Sequence, residues 1–426
     1  MLIPGHLVEL DVEKPAAGGR MIARHDGQVV FVHGAIPGER VRARVERVER
    51  QLAFAAVDEV LSPSPDRRAG LANPRCGGAV YSHIVYARQL ALKADLISDA
   101  FTRLGRLPLE APVAVAASPE HGYRMRARFH VQGATIGFFE SGSHTICDAA
   151  STGQVTAASV AAAEGAVTAL NESGATPVSV ELAENMTADE RALFVEVEAH
   201  GSVTVDTLTG LAATLGLTGC AIGARDGTEL AGGTPVVADP LERVTGLACS
   251  GMLRRHVQSF FQGNRFLITK LVTAVLDAAP ASGSVVDLYA GVGLFAVALA
   301  AAGRTAVTAV ESQAASAGDL RQNAAQFGGA VRVWDGRVEH YLATARRARE
   351  ETIIVDPPRT GISRDAMQAV AARAAGLVVY VSCDPATMAR DARRLVDAGY
   401  VLRSLTGFDL FPNTPHVEAL GVFARA

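Results

Sequence analysis

The sequence predicts a doubly wound α/β sheet, preceded by a small all-β barrel and an α+β middle region. From residue 264 onward, short apolar strands alternate with amphipathic helices, in the order "SVVDLY", "TAVTAVE", "AVRVWD", "TIIVD", "GLVVYVS", "YVLRSLTGFDLF" and "VEALGVFARA". Such alternation argues a sheet parallel at its centre, with ligands at the carboxyl ends of the strands. Residues 1–62 instead carry β-type runs broken by glycine turns. At 426 residues and 49% hydrophobic side chains, the chain is also too long for a single core.

The barrel comes first, in "HLVELDVEK", "GGRMIARHDGQVVFVHGAIPGERVRARVERV" and "QLAFAAVDEVL". Arg40, Arg42 and Arg44 alternate with Val41, Ala43 and Val45, so the charges share one strand face and the apolar side chains the other. A solvated face and an RNA-contacting face both fit that pattern. The run "LSPSPDRRAGLANPRCGG" reads as a linker. Helical spacing follows in "YARQLALKADLISDAFTRLG", with a stop at Gly105, and residues 112–250 mix strands such as "RMRARFHVQG" with an alanine-rich helix at 155–170.

The N-terminus lacks a basic region followed by an apolar core, and no apolar stretch runs 18 residues without charge. Neither a signal peptide nor a membrane span is expected, and the cytoplasm is the expected compartment. Five scattered cysteines, an odd number, suit reduced thiols better than a disulfide framework. A net charge of −4 leaves any polyanion to be held by local basic patches.

Four constellations fall at strand ends. In "VVDLYAGVGLFAVALAAAG" a strand ends at Asp287 and Leu288, and Gly291 and Gly293 let backbone approach a ligand. Glu311 follows 24 residues after Asp287, placed to accept hydrogen bonds from a ribose diol. The spacing is GxG, with no lysine for a triphosphate, which favours S-adenosylmethionine over a dinucleotide or ATP; a tight turn without ligand is the plainer reading. In "IIVDPPRTGIS" Asp356 ends a strand, two prolines stiffen the loop, and Arg359 offers a planar donor. In "VVYVSCDPATMARD" Cys383 ends a strand, Asp384 and Pro385 suit a helix start, and Arg390 lies in its second turn. The last is "DLFPNTPHVE", with His416 and Glu418.

Taken singly, Cys383 reads as a small core residue or a nucleophile at a strand end, Glu418 as a surface carboxylate and His416 as a satisfied loop histidine; beside a methyl-donor loop, a thiol and a separate carboxylate fit methylation of a pyrimidine at C5. That carbon is too weak a nucleophile to attack a sulfonium unaided; a thiolate adding to C6 activates it, and a base must later remove the C5 proton. The thiolate requires a lowered pKa, from nearby positive charge or a helix N-terminus.

"DLYAGVGLF", "DPPRTGI", "YVSCDPATMARD" and "DLFPNTPHVE", with "FFQGN" at Phe260 to Asn264, resemble the motifs of the RNA uracil-C5 methyltransferase family over about residues 258–426. The N-terminal region resembles the TRAM domain, an RNA-binding β-barrel of the oligonucleotide-binding kind. The resemblance implies a methyltransferase sheet, S-adenosylmethionine as cofactor, and RNA as partner, the target being a flipped-out single-stranded or loop uridine in ribosomal or transfer RNA. It implies Cys383 as nucleophile, Glu418 as base, and Gln262, Tyr289, Gly291, Gly293, Glu311 and Asp356 at the cofactor. Arg359 faces substrate, and Arg124, Arg126 and Arg128, alternating along one strand, either line the RNA path or form a solvated face. The resemblance further divides the chain into a TRAM-like barrel (1–65), a middle domain (66–84 and 113–255) and a catalytic domain (85–112 and 256–426), acting as a monomer.

Family members with an iron–sulfur cluster carry three cysteines after the barrel and a fourth beyond. This chain has only "CGGA" at Cys76 to Ala79, and Cys147 lies several residues early, so no cluster and no metal are expected. A cytosine-C5 DNA methyltransferase would place its cysteine where this chain has Asp-Pro-Pro-Arg, and a base-N methyltransferase leaves Cys383 unexplained. An RNA-binding or folding factor on the same scaffold needs neither Cys383 nor Glu418.

Overall fold

The computed structural model describes residues 2–426. Strands β1 (Leu7–Pro15), β2 (Met21–His25), β3 (Gln28–His33), β4 (Arg40–Glu49) and β5 (Leu52–Ser62) close into a barrel in the order β1-β2-β3-β5-β4. Its interior is filled by small and branched side chains, among them Val30, Val32, Val41, Ala43, Val45, Ala53 and Ala55. The arginines of β4 point outward, as the alternation predicts, and each meets a carboxylate: Arg40 with Glu9, Arg42 with Glu59, Arg44 with Asp58.

Helix α1 (Tyr86–Arg103) and strand β6 (Ala114–Ala116) follow. The middle region holds β7 (Arg126–Gln132), β8 (Thr135–Phe139), β9 (Ile146–Asp148), α2 (Ala157–Glu172), β10 (Pro177–Glu184), β11 (Arg191–Val197), α3 (Val205–Thr214), β12 (Gly219–Ala224) and β13 (Glu229–Gly233). Its seven strands run β13-β12-β11-β10-β7-β8-β9, and α2 and α3 share an apolar core with them. A two-stranded ribbon, β14 (Val236–Pro240) and β15 (Met252–His256) around the short α4 (Leu241–Thr245), leads on.

The remainder alternates as the sequence predicts: α5 (Ile268–Ala278), β16 (Ser284–Leu288), α6 (Leu294–Ala301), β17 (Val307–Glu311), α7 (Ala314–Ala325), β18 (Val331–Asp335), α8 (Val338–Thr344), β19 (Glu351–Val355), α9 (Arg364–Arg373), β20 (Leu377–Ser382), α10 (Pro385–Asp397), β21 (Tyr400–Phe408) and β22 (Glu418–Arg425). The sheet order is β18-β17-β16-β19-β20-β22-β21-β6. The five strands from β18 to β20 are parallel, and β22 runs antiparallel to β20. That reversal assembles the site: Ser382 pairs with Ala419, so one step further along the same register Cys383 and Glu418 stand opposite each other.

Helix α1 packs on α10, the helix that follows Cys383. Gly105 permits this approach, since a Cβ there would lie 2.7 Å from the Phe101 carbonyl and 3.0 Å from that of Ala389. From α1, Lys93 reaches the Asp409 carboxylate and the Phe411 carbonyl, the ion pair being wholly buried. It anchors the loop that leads into Glu418. Lys93→Ala leaves Asp409 an uncompensated buried charge, and chemical denaturation is expected to show a loss of about 3–5 kcal/mol.

The expectation of five reduced thiols is corrected by the structure. Cys76 and Cys147 are joined as a disulfide, whereas Cys220, Cys249 and Cys383 are free. The two are 71 residues apart in sequence, but Cys76 bridges to Glu140 beside β8, and Phe138 of β8 pairs with Cys147 of β9, which brings their Cα atoms to 5.7 Å. Among the described residues no group of three or more His, Cys, Asp or Glu gathers as a metal set, and no helix is long and apolar enough to cross a membrane.

Candidate active site

The carboxyl ends of β16, β17, β19 and β20 gather the residues that the sequence singles out. After β16, Tyr289 adopts φ +61°, a left-handed conformation that a non-glycine residue holds only when its surroundings impose it. Gly291 follows at φ +57°, and its N–H donates to Glu311 Oε2 at 2.8 Å. The other Glu311 oxygen accepts from the N–H groups of Ser312 and Gln313, each at 2.7 Å, so the carboxylate is fixed at the end of β17. Gly293, at φ +94°, begins α6, and a Cβ there would lie 2.6 Å from Leu320. Gly293→Ala is therefore expected to lower the thermal midpoint, by strain and overpacking together costing about 1–3 kcal/mol.

A Cβ on Gly291 would meet only the Phe260 carbonyl, 3.9 Å away, because the loop faces a cleft lined by Phe260, Phe261, Gln262, Tyr289, Gly291 and Asp356. On the other side of Tyr289 a cavity of about 200 Å³ opens between Glu311, Ser312, Arg337 and Glu339. Arg337 and Glu339 were not anticipated; their position just beyond the end of β18, in "WDGRVE", is the signal that points to them. Asp287 lies beneath the loop, wholly buried. Its Oδ2 accepts from the Ala296 N–H at 3.0 Å, its Oδ1 has no partner, and burial raises its carboxyl well above the ordinary range.

Asp356 leaves β19 and accepts a hydrogen bond from Gln262 Nε2 at 3.0 Å. Its carboxyl is pushed up to about 7 by burial, with Gln262 opposing. Glu418, 2% exposed, has one oxygen without a partner, and its carboxyl is held well above the ordinary range by burial and by Asp356, against the pull of Arg359. The half-buried Cys383 completes the group. Its thiol is pushed up to about 12, first by burial and then by Glu418, with the Arg359 guanidinium opposing. With Glu418 itself protonated that second contribution vanishes, so burial is the dominant cause.

This differs from the lowered thiol that the sequence suggests. Asp384 does cap α10, accepting from the Thr387 N–H at 2.8 Å, with Pro385 in its first turn. Arg390, however, donates to Thr387 Oγ1 at 3.1 Å, and the cation beside the thiol is Arg359, which extends from the Asp-Pro-Pro loop. His416 is held neutral, pushed down to about 4 by burial and by Arg359, Lys93 and Arg124.

The three arginines of the middle sheet separate. Arg126 pairs with Glu181, and Arg128 with Glu196. Among the described residues Arg124 makes no ion pair; it donates to Gln154 Oε1 at 2.6 Å and lies over the rings of Phe138 and Phe411 at 5.2 and 5.8 Å. Its charge is felt at His416.

A glycine loop after β16, an acidic residue ending β17 and a parallel sheet reversed at one edge define a methyltransferase fold. A solved tRNA (uracil-54, C5)-methyltransferase of Pyrococcus abyssi, crystallised with S-adenosyl-L-homocysteine, shares it, with a TM-score of 0.74 and 21% identity over 97% of this chain and 99% of that one. Residues 337–426 match the model of the tRNA (uracil-5-)-methyltransferase family, and residues 4–57 match the TRAM domain. A Streptomyces coelicolor protein named as an uncharacterized RNA methyltransferase is 33% identical, covering 99% of this chain and 93% of that protein. A 23S rRNA (uracil(1939)-C(5))-methyltransferase of Alkalilimnicola ehrlichii is 32% identical, covering 99% and 98%. The chain belongs to the RNA uracil-C5 methyltransferase family.

Proposed function

We propose that this protein methylates C5 of a uridine in RNA, with Cys383 as nucleophile and Glu418 as the base. The observation that carries this reading is the β20–β22 register, which sets a thiol and an orphaned buried carboxyl face to face beside Arg359. The relatives named for 23S ribosomal RNA make that RNA the favoured substrate ahead of transfer RNA.

The cleft suits S-adenosylmethionine: Gly291 presents open backbone, Glu311 an oriented carboxylate, Tyr289 a ring between two cavities, and Gln262 and Asp356 a polar wall. That cofactor supplies an electrophilic methyl group for C5. The chain does the rest. The Cys383 thiol gives its proton to solvent, Arg359 compensates the charge of the resulting thiolate, and the sulfur bonds to C6 while the C5–C6 π electrons move toward C5 and O4; C5 then uses that electron pair to bond the methyl group. Glu418, ionised at that stage, accepts the C5 proton; the electrons of the C5–H bond restore the C5–C6 double bond, and the C6–S bond breaks to return the thiolate. Arg124, without an ion partner between Phe411 and Phe138, fits the substrate side. The packing of α1 on α10 supports counting residues 85–112 with residues 256–426 as one catalytic unit, and the pairing of β6 (Ala114–Ala116) with β21 carries that unit a few residues beyond 112.

The decisive assay supplies methyl-labelled cofactor and unmodified 23S RNA, then digests the RNA to nucleosides. Label in 5-methyluridine supports the proposal; label only in an N-methylated base refutes it. A pH dependence follows from Asp356. Its carboxyl rises from an ordinary 3.8 to about 7 on folding, so the folded state binds more protons between those values. Stability from this site is full below about pH 4 and is lost as pH rises through 7. Activity runs the other way, because the carboxyl pair must lose a proton before Glu418 can accept one. Turnover is expected to fall on acidification, and Asp356→Asn, which removes a charge that holds Glu418 up, should move that limb to lower pH in whatever activity remains.

A further inference from the structure

We infer that a second part of the barrel, distinct from the arginine row of β4, stacks bases of the single-stranded RNA flanking the target uridine. This rests on the proposed RNA substrate and names the surface that holds it.

Phe31 of β3 and Phe54 of β5 are register partners on the outside of the barrel; their neighbours Val30, Val32, Ala53 and Ala55 fill the interior. The two half-buried rings stack on each other, with centroids 5.4 Å apart and planes 23° from parallel. Arg47 lies over Phe54 at 4.3 Å, and Arg20 at 5.5 Å. Aromatic rings flanked by guanidiniums on the outside of a small barrel form the kind of platform on which single-stranded bases stack, because every base has a π face and every linkage a negative charge.

Charge separates this surface from the β4 row. Arg40, Arg42 and Arg44 each meet their own carboxylate, which leaves that row neutral. Beside the rings, Arg20 and Arg75 share Glu46, Arg47 pairs with Glu49, and Arg50 at the β4–β5 turn has no ion pair among the described residues, an excess of positive charge. The surface also runs toward the site. Gly19, next to Arg20, sits where a Cβ would lie 2.7 Å from Val80 and 3.0 Å from Pro415, and Pro415 belongs to the loop that enters Glu418. The barrel is thus docked against the loop that enters Glu418, and Arg20, which lies over Phe54, stands one residue from that contact.

The test uses the full-length protein, a fluorescent single-stranded RNA 12-mer for binding, and 23S RNA for turnover. Phe31→Ala and Phe54→Leu are expected to weaken 12-mer binding by about tenfold each and to raise KM for 23S RNA with kcat unchanged. Phe54→Tyr should retain binding, which separates stacking from packing of the barrel; Arg50→Ala should lower the salt dependence of log Kd by about one unit of slope, and Arg42→Ala should change nothing. Unchanged binding and KM in Phe31→Ala and Phe54→Leu, or equal losses in Phe54→Leu and Phe54→Tyr, overturn the inference. Phe54-dependent RNA binding without methyl transfer would instead count against the proposed reaction alone.

Discussion

Cys383→Ala is expected to bind S-adenosylmethionine and RNA as the parent does, yet to transfer methyl at least about 10⁴-fold more slowly. The size of the loss follows from the substrate. Uracil C5 gains enough electron density for alkylation only while a nucleophile is bonded to C6, and no other free thiol serves: Cys220 is buried in the middle sheet and Cys249 lies beyond α4. The site in the absence of RNA holds the thiol protonated, since burial outweighs Arg359. Arg359 is the one nearby cation that favours the thiolate, so Arg359→Gln should lower the rate and shift the demand for thiolate to higher pH. Single-turnover rates as a function of pH distinguish this from a loss of RNA affinity.

Glu418→Gln should behave differently. In the proposed mechanism addition to C6 and methylation of C5 precede the proton removal, so this variant should accumulate a covalent protein–RNA species that resists denaturing electrophoresis while multiple turnover drops by about 10²–10⁴-fold. It should also be no less stable than the parent at alkaline pH. The parent carboxyl is buried with one oxygen unpartnered and its ionisation is disfavoured by Asp356, a cost that an amide of the same shape does not carry. An inactive, thermally intact and covalently loaded variant is what loss of the base alone produces. Rapid normal turnover would remove Glu418 as base.

Much of the catalytic sheet was legible because several of the candidate residues sit where an apolar strand gives way to a polar turn, whereas Gln262 lies in a loop and Glu418 begins a strand. Asp356, Glu311 and Cys383 could be placed at strand ends without any knowledge of strand order. What joins Cys383 to Glu418 could not be read, because it depends on β22 inserting antiparallel beside β20, and register is a property of the sheet. The same limit hid the carboxylates that neutralise Arg40, Arg42, Arg44, Arg126 and Arg128: all five partners lie on other strands. It hid the Cys76–Cys147 pairing as well, where an odd count of cysteines argued for free thiols. Alternation identified the outward face of the barrel, but the charged side chains drew attention there, while Phe31 and Phe54 read as ordinary strand residues. Arg359 in place of Arg390 as the cation beside the thiol is a matter of loop direction, which the rigid Asp-Pro-Pro segment decides and local sequence does not reveal.

The most direct test of a covalent mechanism is to incubate the protein and S-adenosylmethionine with 5-fluorouridine-substituted 23S RNA and digest the product for mass spectrometry. Fluorine cannot leave C5 as a proton, so the methylated adduct should persist, with the modified nucleotide on the peptide that contains Cys383. Intact cofactor binding and RNA binding with no adduct, or an adduct on any other residue, would contradict the account.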